Sequence, residues 1–175
     1  MHFTKKYIFL LLANLLVFVC AYSQPPETII KIQAMDMARA VLAKDVDKIV
    51  YYMPPKLVAE MGGREKMMAA RDTMNKFMKQ FGAEIKKVTI GNPAKIISYK
   101  KQLQTTVPQT TEASFMSSTV TFQSTLIAIS EDQGRHWYFV DNNIYRGDKL
   151  KSSLPDLSPD LVIPPMQAPK ITPNQ

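Results

Sequence analysis

Residues 71–90 read RDTMNKFMKQFGAEIKKVTI, and the period of their apolar positions changes once, at Gly82. Before it, Met74, Phe77, Met78 and Phe81 recur every three or four residues, the spacing that places side chains on one face of a helix. After it, β-branched residues alternate in twos, which predicts a strand over 84–90. Gly82 suits the junction, because a residue without Cβ tolerates the left-handed backbone that ends many helices. Helices up to this point and strands beyond it make an α+β chain.

Towards the N-terminus the same helix reaches back to Arg64 and adds Met67 and Ala70 to its apolar face. Gly62-Gly63 permits a change of direction before it, and 56–61 can make one further helical turn. Pro54 and Pro55 withhold two backbone donors. A short helix carrying Val46, Ile49 and Val50, capped by Asp45 or Asp47, must therefore stop near Met53. The first helix runs from Pro26 to about Ala43, with Ile30, Ala34, Met37 and Val41 at helical spacing.

Towards the C-terminus, Gly91-Asn92-Pro93 reads as a turn and Ala94 to about Val107 as a second strand, ended by the polar stretch Gln109–Glu112. Met116, Val120, Phe122, Leu126 and Ala128 then line one face of a third strand. Ile127 and Ile129 fall on the other face, which predicts a bulge or burial on both sides near its end. Glu131-Asp132-Gln133-Gly134 is a hairpin turn, and His136 to Val140 returns as the last strand. The expected architecture is a four-stranded antiparallel sheet with N-terminal helices over one face, in a single domain spanning 24–153. Half of the twelve prolines crowd into 154–175, an extended segment by composition. Leu154, Leu157, Leu161, Val162 and Ile163 are regular enough to pack along the domain, so disorder is expected only after about Pro165.

Residues 1–23 have the parts of a secretory leader: Lys5 and Lys6, an apolar run from Tyr7 to Val19, and the small-x-small site Ala21-Tyr22-Ser23, leaving Gln24 as the first mature residue. That run is shorter than the roughly 18 to 20 residues that span a bilayer, and no second one follows, so no transmembrane anchor is expected. The expected location is outside the cytoplasm, periplasmic or secreted. Cys20 raises a lipoprotein reading, which the branched Val19 before it disfavours. With the cut at Ser23 no cysteine remains, so packing rather than disulfides must hold the domain. Losing Lys5 and Lys6 lowers the formal charge from +7 to +5, an excess that favours anionic surfaces. The lysines are scattered and not interleaved with stacking aromatics, which argues against nucleic acid.

The closing strand, Gly134-Arg135-His136-Trp137-Tyr138-Phe139-Val140-Asp141, follows a tight turn. With helices first and a long antiparallel sheet after them, the stretch from about Glu27 to Asp148 resembles the NTF2-like superfamily. The resemblance implies a concave sheet wrapped on helices, with a pocket at the wide end of a cone. Its members include isomerases, dehydratases, small-molecule binders and dimerisation modules. They share no common catalytic motif, and none of their local catalytic patterns occurs here.

Four residues are the candidate ligand-binding set. Trp137 and Asp141 lie on the same face of the closing strand, with Asp141 towards the expected mouth, and Tyr51 and Tyr52 precede the double proline. The plainer readings are a strand-ending Asp that caps its own turn, and aromatic wedges that fill the core. His136, the one histidine after the leader, points opposite to Trp137 and reads as outward-facing. Met67, Met74 and Met78 invite a copper(I) reading, but their place on a helical apolar stripe favours gap-filling. One histidine and no mature cysteine cannot build the usual zinc sets, so neither metal nor cofactor is expected.

Three functions follow from this reading. The first is a non-catalytic binding or interaction domain, holding a small apolar ligand in a cone pocket or forming a homodimer through the sheet face at Ser117, Thr119, Thr121, Gln123 and Thr125. The second is an isomerase or hydrolase with Asp141 as base and Tyr51 or Tyr52 as donor, which needs them within reach of one another. The third is a cell-envelope module binding anionic glycan or lipid through its basic excess.

Overall fold

The computed structural model describes residues 24–145 and 147–174; the leader at 1–23, with Cys20 and the cleavage site, lies outside the described residues. Among the described residues four helices come first. Helix α1 (Pro26–Ala43) begins on a proline whose missing N–H costs nothing at a helix start, and ends at Lys44 in the left-handed conformation. Helix α2 (Val46–Tyr51) is capped by Asp45, whose Oδ1 accepts from Lys48 N–H at 3.0 Å. After the double proline comes α3 (Pro55–Glu60); a left-handed Gly62 (φ 84°) then turns the chain into α4 (Gly63–Gln80). Arg71 of α4 donates to the Val41 carbonyl of α1 at 3.0 Å, and Arg64 pairs with Asp47 of α2.

The sheet is antiparallel, open and six-stranded rather than four-stranded: β1 (Glu84–Ile90), β2 (Ile97–Tyr99), β3 (Gln102–Phe115), β4 (Ser118–Ser130), β5 (Tyr138–Asp141) and β6 (Lys170–Pro173). Its axis is the β3–β4 hairpin, paired without a slip from Leu103↔Ser130 to Phe115↔Ser118. Two short strands share each remaining edge. On β3 they are β1, opposite 109–114, and β2, opposite 102–104. On β4 they are β5, opposite 126–129, and β6, opposite 118–121.

The strand boundaries correct the sequence reading in three places. The strand expected over 94–107 is broken by a two-residue turn at Lys100 and Lys101, both at positive φ (45° and 66°). The polar stretch Gln109–Glu112 does not end a strand, since β3 runs through it to Phe115, and the hairpin turns instead at Met116-Ser117. In the tail, Lys170–Pro173 forms a further strand that pairs with β4 as β6.

Two cores form, one on each face of the half of the hairpin nearest Leu103 and Ser130. On one face Ile30, Ala34 and Met37 of α1 pack with Tyr52, Val107, Leu126, Ala128, Trp137 and Phe139. On the other, Ile127, Ile129 and Val140 meet Leu57 of α3, Tyr145, and Leu150 of the short helix α5 (Gly147–Ser153), followed by Leu154 and Leu161. Helices thus lie over both faces, not one. Ile127 and Ile129 are buried by this second layer with no bulge in the register.

Polar stitches hold that layer. Gln104 is fully buried; its amide donates to the Asp156 carbonyl at 2.7 Å and accepts from Ser158 N–H at 2.8 Å. Thr106 donates to the Val162 carbonyl at 3.3 Å, and Asn142 to that of Pro164 at 3.4 Å. Leu157 and Ile163 pack against the core as expected, whereas Val162 is 77% exposed.

Candidate functional site

Of the four candidate residues, two are core. Trp137 is fully buried, donates from Nε1 to the Gly134 carbonyl at 3.0 Å, and donates its backbone N–H to Gln33 Oε1 at 2.8 Å. Tyr52 is buried, donates its hydroxyl to Asp36 at 2.8 Å, and accepts Phe139 N–H on its carbonyl at 2.7 Å. Burial, then the bond to Asp36, pushes the Tyr52 phenol well above its ordinary value, so it stays protonated.

Tyr51 points outward. Its ring meets His136 edge-on at 4.6 Å, and His136 meets Tyr138 in the same way. One His136 nitrogen lies 3.2 Å from the Tyr51 carbonyl. His136 also stacks on Tyr52 at 5.7 Å between centroids, so these rings pack against one another.

Asp141 sits elsewhere, at the end of β5 opposite Leu126 and hence on the α1 face. Gln109 of β3 and Ser124 of β4 are themselves cross-strand partners on that face, and each donates to Asp141 Oδ2 at 3.1 Å. Oδ1 accepts Asn143 N–H at 2.8 Å, the local cap that an Asx residue makes at a strand end. Burial raises the Asp141 carboxyl above its ordinary value, against the lowering effect of these three bonds. Asp141 and the tyrosine pair are not brought into contact, because the Tyr52 hydroxyl is committed to Asp36 and the Asp141 oxygens to Gln109, Ser124 and Asn143.

The polar trio marks a boundary. On the α1 face behind it, Val107, Leu126 and Ala128 are sealed. Ahead of it on the same face the register places Thr111 beside Phe122, Ala113 beside Val120 and Ile171, and then Phe115. There Phe122 is 40%, Phe115 39% and Ile171 66% exposed. The surface is apolar, bordered at one end by a carboxylate with three donors on it and about one acceptor position left. Such a carboxylate can take a further N–H or O–H. Among the described residues its bonded partners are Gln109, Ser124 and Asn143.

A concavity lies on the opposite face, a groove of about 290 Å³ between Pro54–Lys56, Ile129, Tyr138 and Leu154–Leu157. Its polar rim is already paired internally: Gln102 donates to Glu131 at 3.0 Å, and Lys100 pairs with Asp156 at 2.9 Å. Among the described residues no group of three His, Cys, Asp or Glu side chains is placed to hold a metal ion.

Sequence reasoning finds Asp141 but misses Gln109 and Ser124, since it ends the second strand at the polar stretch Gln109–Glu112. The signal was present in the two-residue alternation that continues from Val107 through Gln109 to Thr111. No protein-family model matches the chain, and no curated protein or solved structure matches it.

Proposed function

We propose that this chain is an exported, non-catalytic binding domain of NTF2-like architecture that takes a small apolar ligand on the open half of the α1 face. Asp141 would accept a hydrogen bond from the ligand's polar end. The observation that supports this reading is the change in cover along one continuous hairpin, from Leu126 at 1% exposure to Phe122 at 40%, on one face of one strand. Aromatic rings held in water on a sheet add little to the fold, and clustered apolar surface of this sort usually marks a contact site.

The order of helices and antiparallel strands, with α1 lying on the sheet, supports the NTF2-like part; the second layer of α5 and the tail is an addition to it. That layer also works against pairing through the sheet face, because Thr125 is buried beneath it and Thr119 bonds to Asn174. Export rests on the leader at 1–23.

Native mass spectrometry of the chain from Gln24, purified from its own host, tests the reading. A monomer with a small-molecule adduct that Phe122→Asp no longer retains is the expected result. A bare monomer would sink it. A ligand-free dimer dissociated by Thr121→Arg would replace it with the sheet-face pairing.

A further inference from the structure

Helix α4 points only part of its apolar stripe at the protein. The side docked on the domain carries Met67, which is buried, and Arg71, Asn75 and Met78, which are half-buried. The next row around the helix, at spacings of four and three, is Lys66, Ala70, Met74, Phe77 and Phe81, and all five are exposed. Met74 is 58%, Phe77 56% and Phe81 40% exposed, and the two phenylalanine rings touch at 4.6 Å between centroids.

The helix that carries that row has a positive excess, with Arg64, Lys66, Arg71, Lys76 and Lys79 against Glu65 and Asp72. Lys66 borders the apolar row directly, and Lys76 lies further round the exposed side, next to Glu65 and Asp72. Among the described residues neither lysine forms an ion pair, whereas Arg64 on the same helix is paired with Asp47.

We propose that α4 is an interfacial helix that seats the domain on an anionic lipid surface, with Met74, Phe77 and Phe81 below the headgroups and Lys66 and Lys76 among them. The surface is a convex helix flank rather than a pocket, which suits a lipid interface better than a small molecule. A long lysine stem can lie along apolar surface and lift its ammonium to the phosphates. A second copy fits less well: a two-fold contact through this row sets Lys66 and Lys76 against the same lysines, on chains that already carry a positive excess. Among the described residues no helix is long and apolar enough to cross a membrane, so this contact lies on the surface. It is independent of the ligand on the α1 face.

The test uses the chain from Gln24, which holds every described contact, with sedimenting vesicles of phosphatidylglycerol and phosphatidylcholine or of phosphatidylcholine alone. The expected result is binding to the anionic vesicles only, reduced at least about tenfold in Phe77→Ser/Phe81→Ser and about fivefold for each of Lys66→Ala and Lys76→Ala. These side chains are exposed, so the variants should unfold at the parental urea midpoint. Phe77→Trp adds a reporter whose emission should shift to the blue on anionic vesicles, while Trp137, fully buried, stays constant. The proposal fails if the wild type ignores anionic vesicles or if the serine variant binds them equally well. It also fails if the wild type is a dimer that the serine variant dissociates, which would make a second copy the occupant.

Discussion

The two halves of the β3–β4 hairpin are the same object by hydrogen bonding and different objects by packing. Thirteen residue pairs run in one register from Leu103↔Ser130 to Phe115↔Ser118. In the half near Leu103, every β4 residue from Thr125 to Ser130 is buried, because α1 lies on one face and the C-terminal layer on the other. In the half near Phe115, no β4 residue from Ser118 to Ser124 is buried, and the added strand β6 is exposed at all four positions. Backbone pairing sets the length of a hairpin, while stability follows whatever covers its faces.

Aromatic truncations should show the largest contrast. Trp137→Ala removes a fully buried indole from the covered half and should cost about 3–5 kcal/mol. Phe122→Ala, at 40% exposure in the open half, should cost about 1 kcal/mol or less. Urea unfolding of the two variants measures this, and similar midpoints would erase the distinction between the halves.

The two parts of the tail should differ in the same sense by smaller amounts. Gln104→Ala leaves the Asp156 carbonyl and the Ser158 N–H without their partner under the covered half, a loss of about 2–3 kcal/mol. Deleting 166–175 removes β6, which contributes backbone pairs to β4 but buries no side chain, and should cost about 1 kcal/mol or less. It should also speed amide exchange at Ser118–Thr121 while leaving Leu126–Ile129 protected. Protection lost equally at both stretches would mean that the hairpin opens as one unit.

Each half was legible only in part. Helices α1 to α4 were legible to within a residue or two, since their spacing, the Asp45 cap, the double proline and Gly62 all act locally. Two hairpin turns were not. Lys100-Lys101 and Met116-Ser117 reverse the chain without the Asn or Gly that usually supplies positive φ, and Met116 sits at φ 51° because the strands on either side hold it there. The second core was half legible: Ile127 and Ile129 announced burial on both faces, but nothing local says that Leu161, beyond two prolines, returns to cover them. For Trp137 and Tyr52 the sequence leaves both a binding and a core-filling reading open, because it does not separate a ring that lines a cavity from one that fills it; both are buried. Asp141 was visible as an ionisable group at a strand end, and its partners Gln109 and Ser124 became visible only with the register.

The smallest expected effect lies at the boundary, and its sign is what it tests. Two aspartates flank β5: Asp132 in the turn before it and Asp141 at its end. At Asp132 burial pushes the carboxyl up, but N–H donation from His136 at 2.9 Å and Arg135 at 3.1 Å, with the Ser130 hydroxyl at 2.9 Å, outweighs it and leaves the carboxyl below its ordinary value. Its contribution is present above the unfolded value and is lost as pH falls through the folded one. At Asp141 burial wins and the carboxyl is raised. Between the unfolded and the raised folded value the native chain holds a proton that the unfolded chain has released. Stability therefore falls as pH rises through that window and stays lower above it. Asp141→Asn removes the fall and should match or exceed the parent at neutral pH by up to about 1 kcal/mol, with the gap closing in acid. Asp132→Asn should do the opposite, weakening the fold at neutral pH and converging with the parent as pH drops. Urea midpoints from about pH 3 to about pH 7 read both slopes. Parallel slopes would place Asp141 in solvent like an ordinary turn residue and remove the polar end of the proposed ligand site. Opposite slopes, with an adduct that weakens in Asp141→Asn, would tie the desolvation of that carboxylate to the ligand it receives.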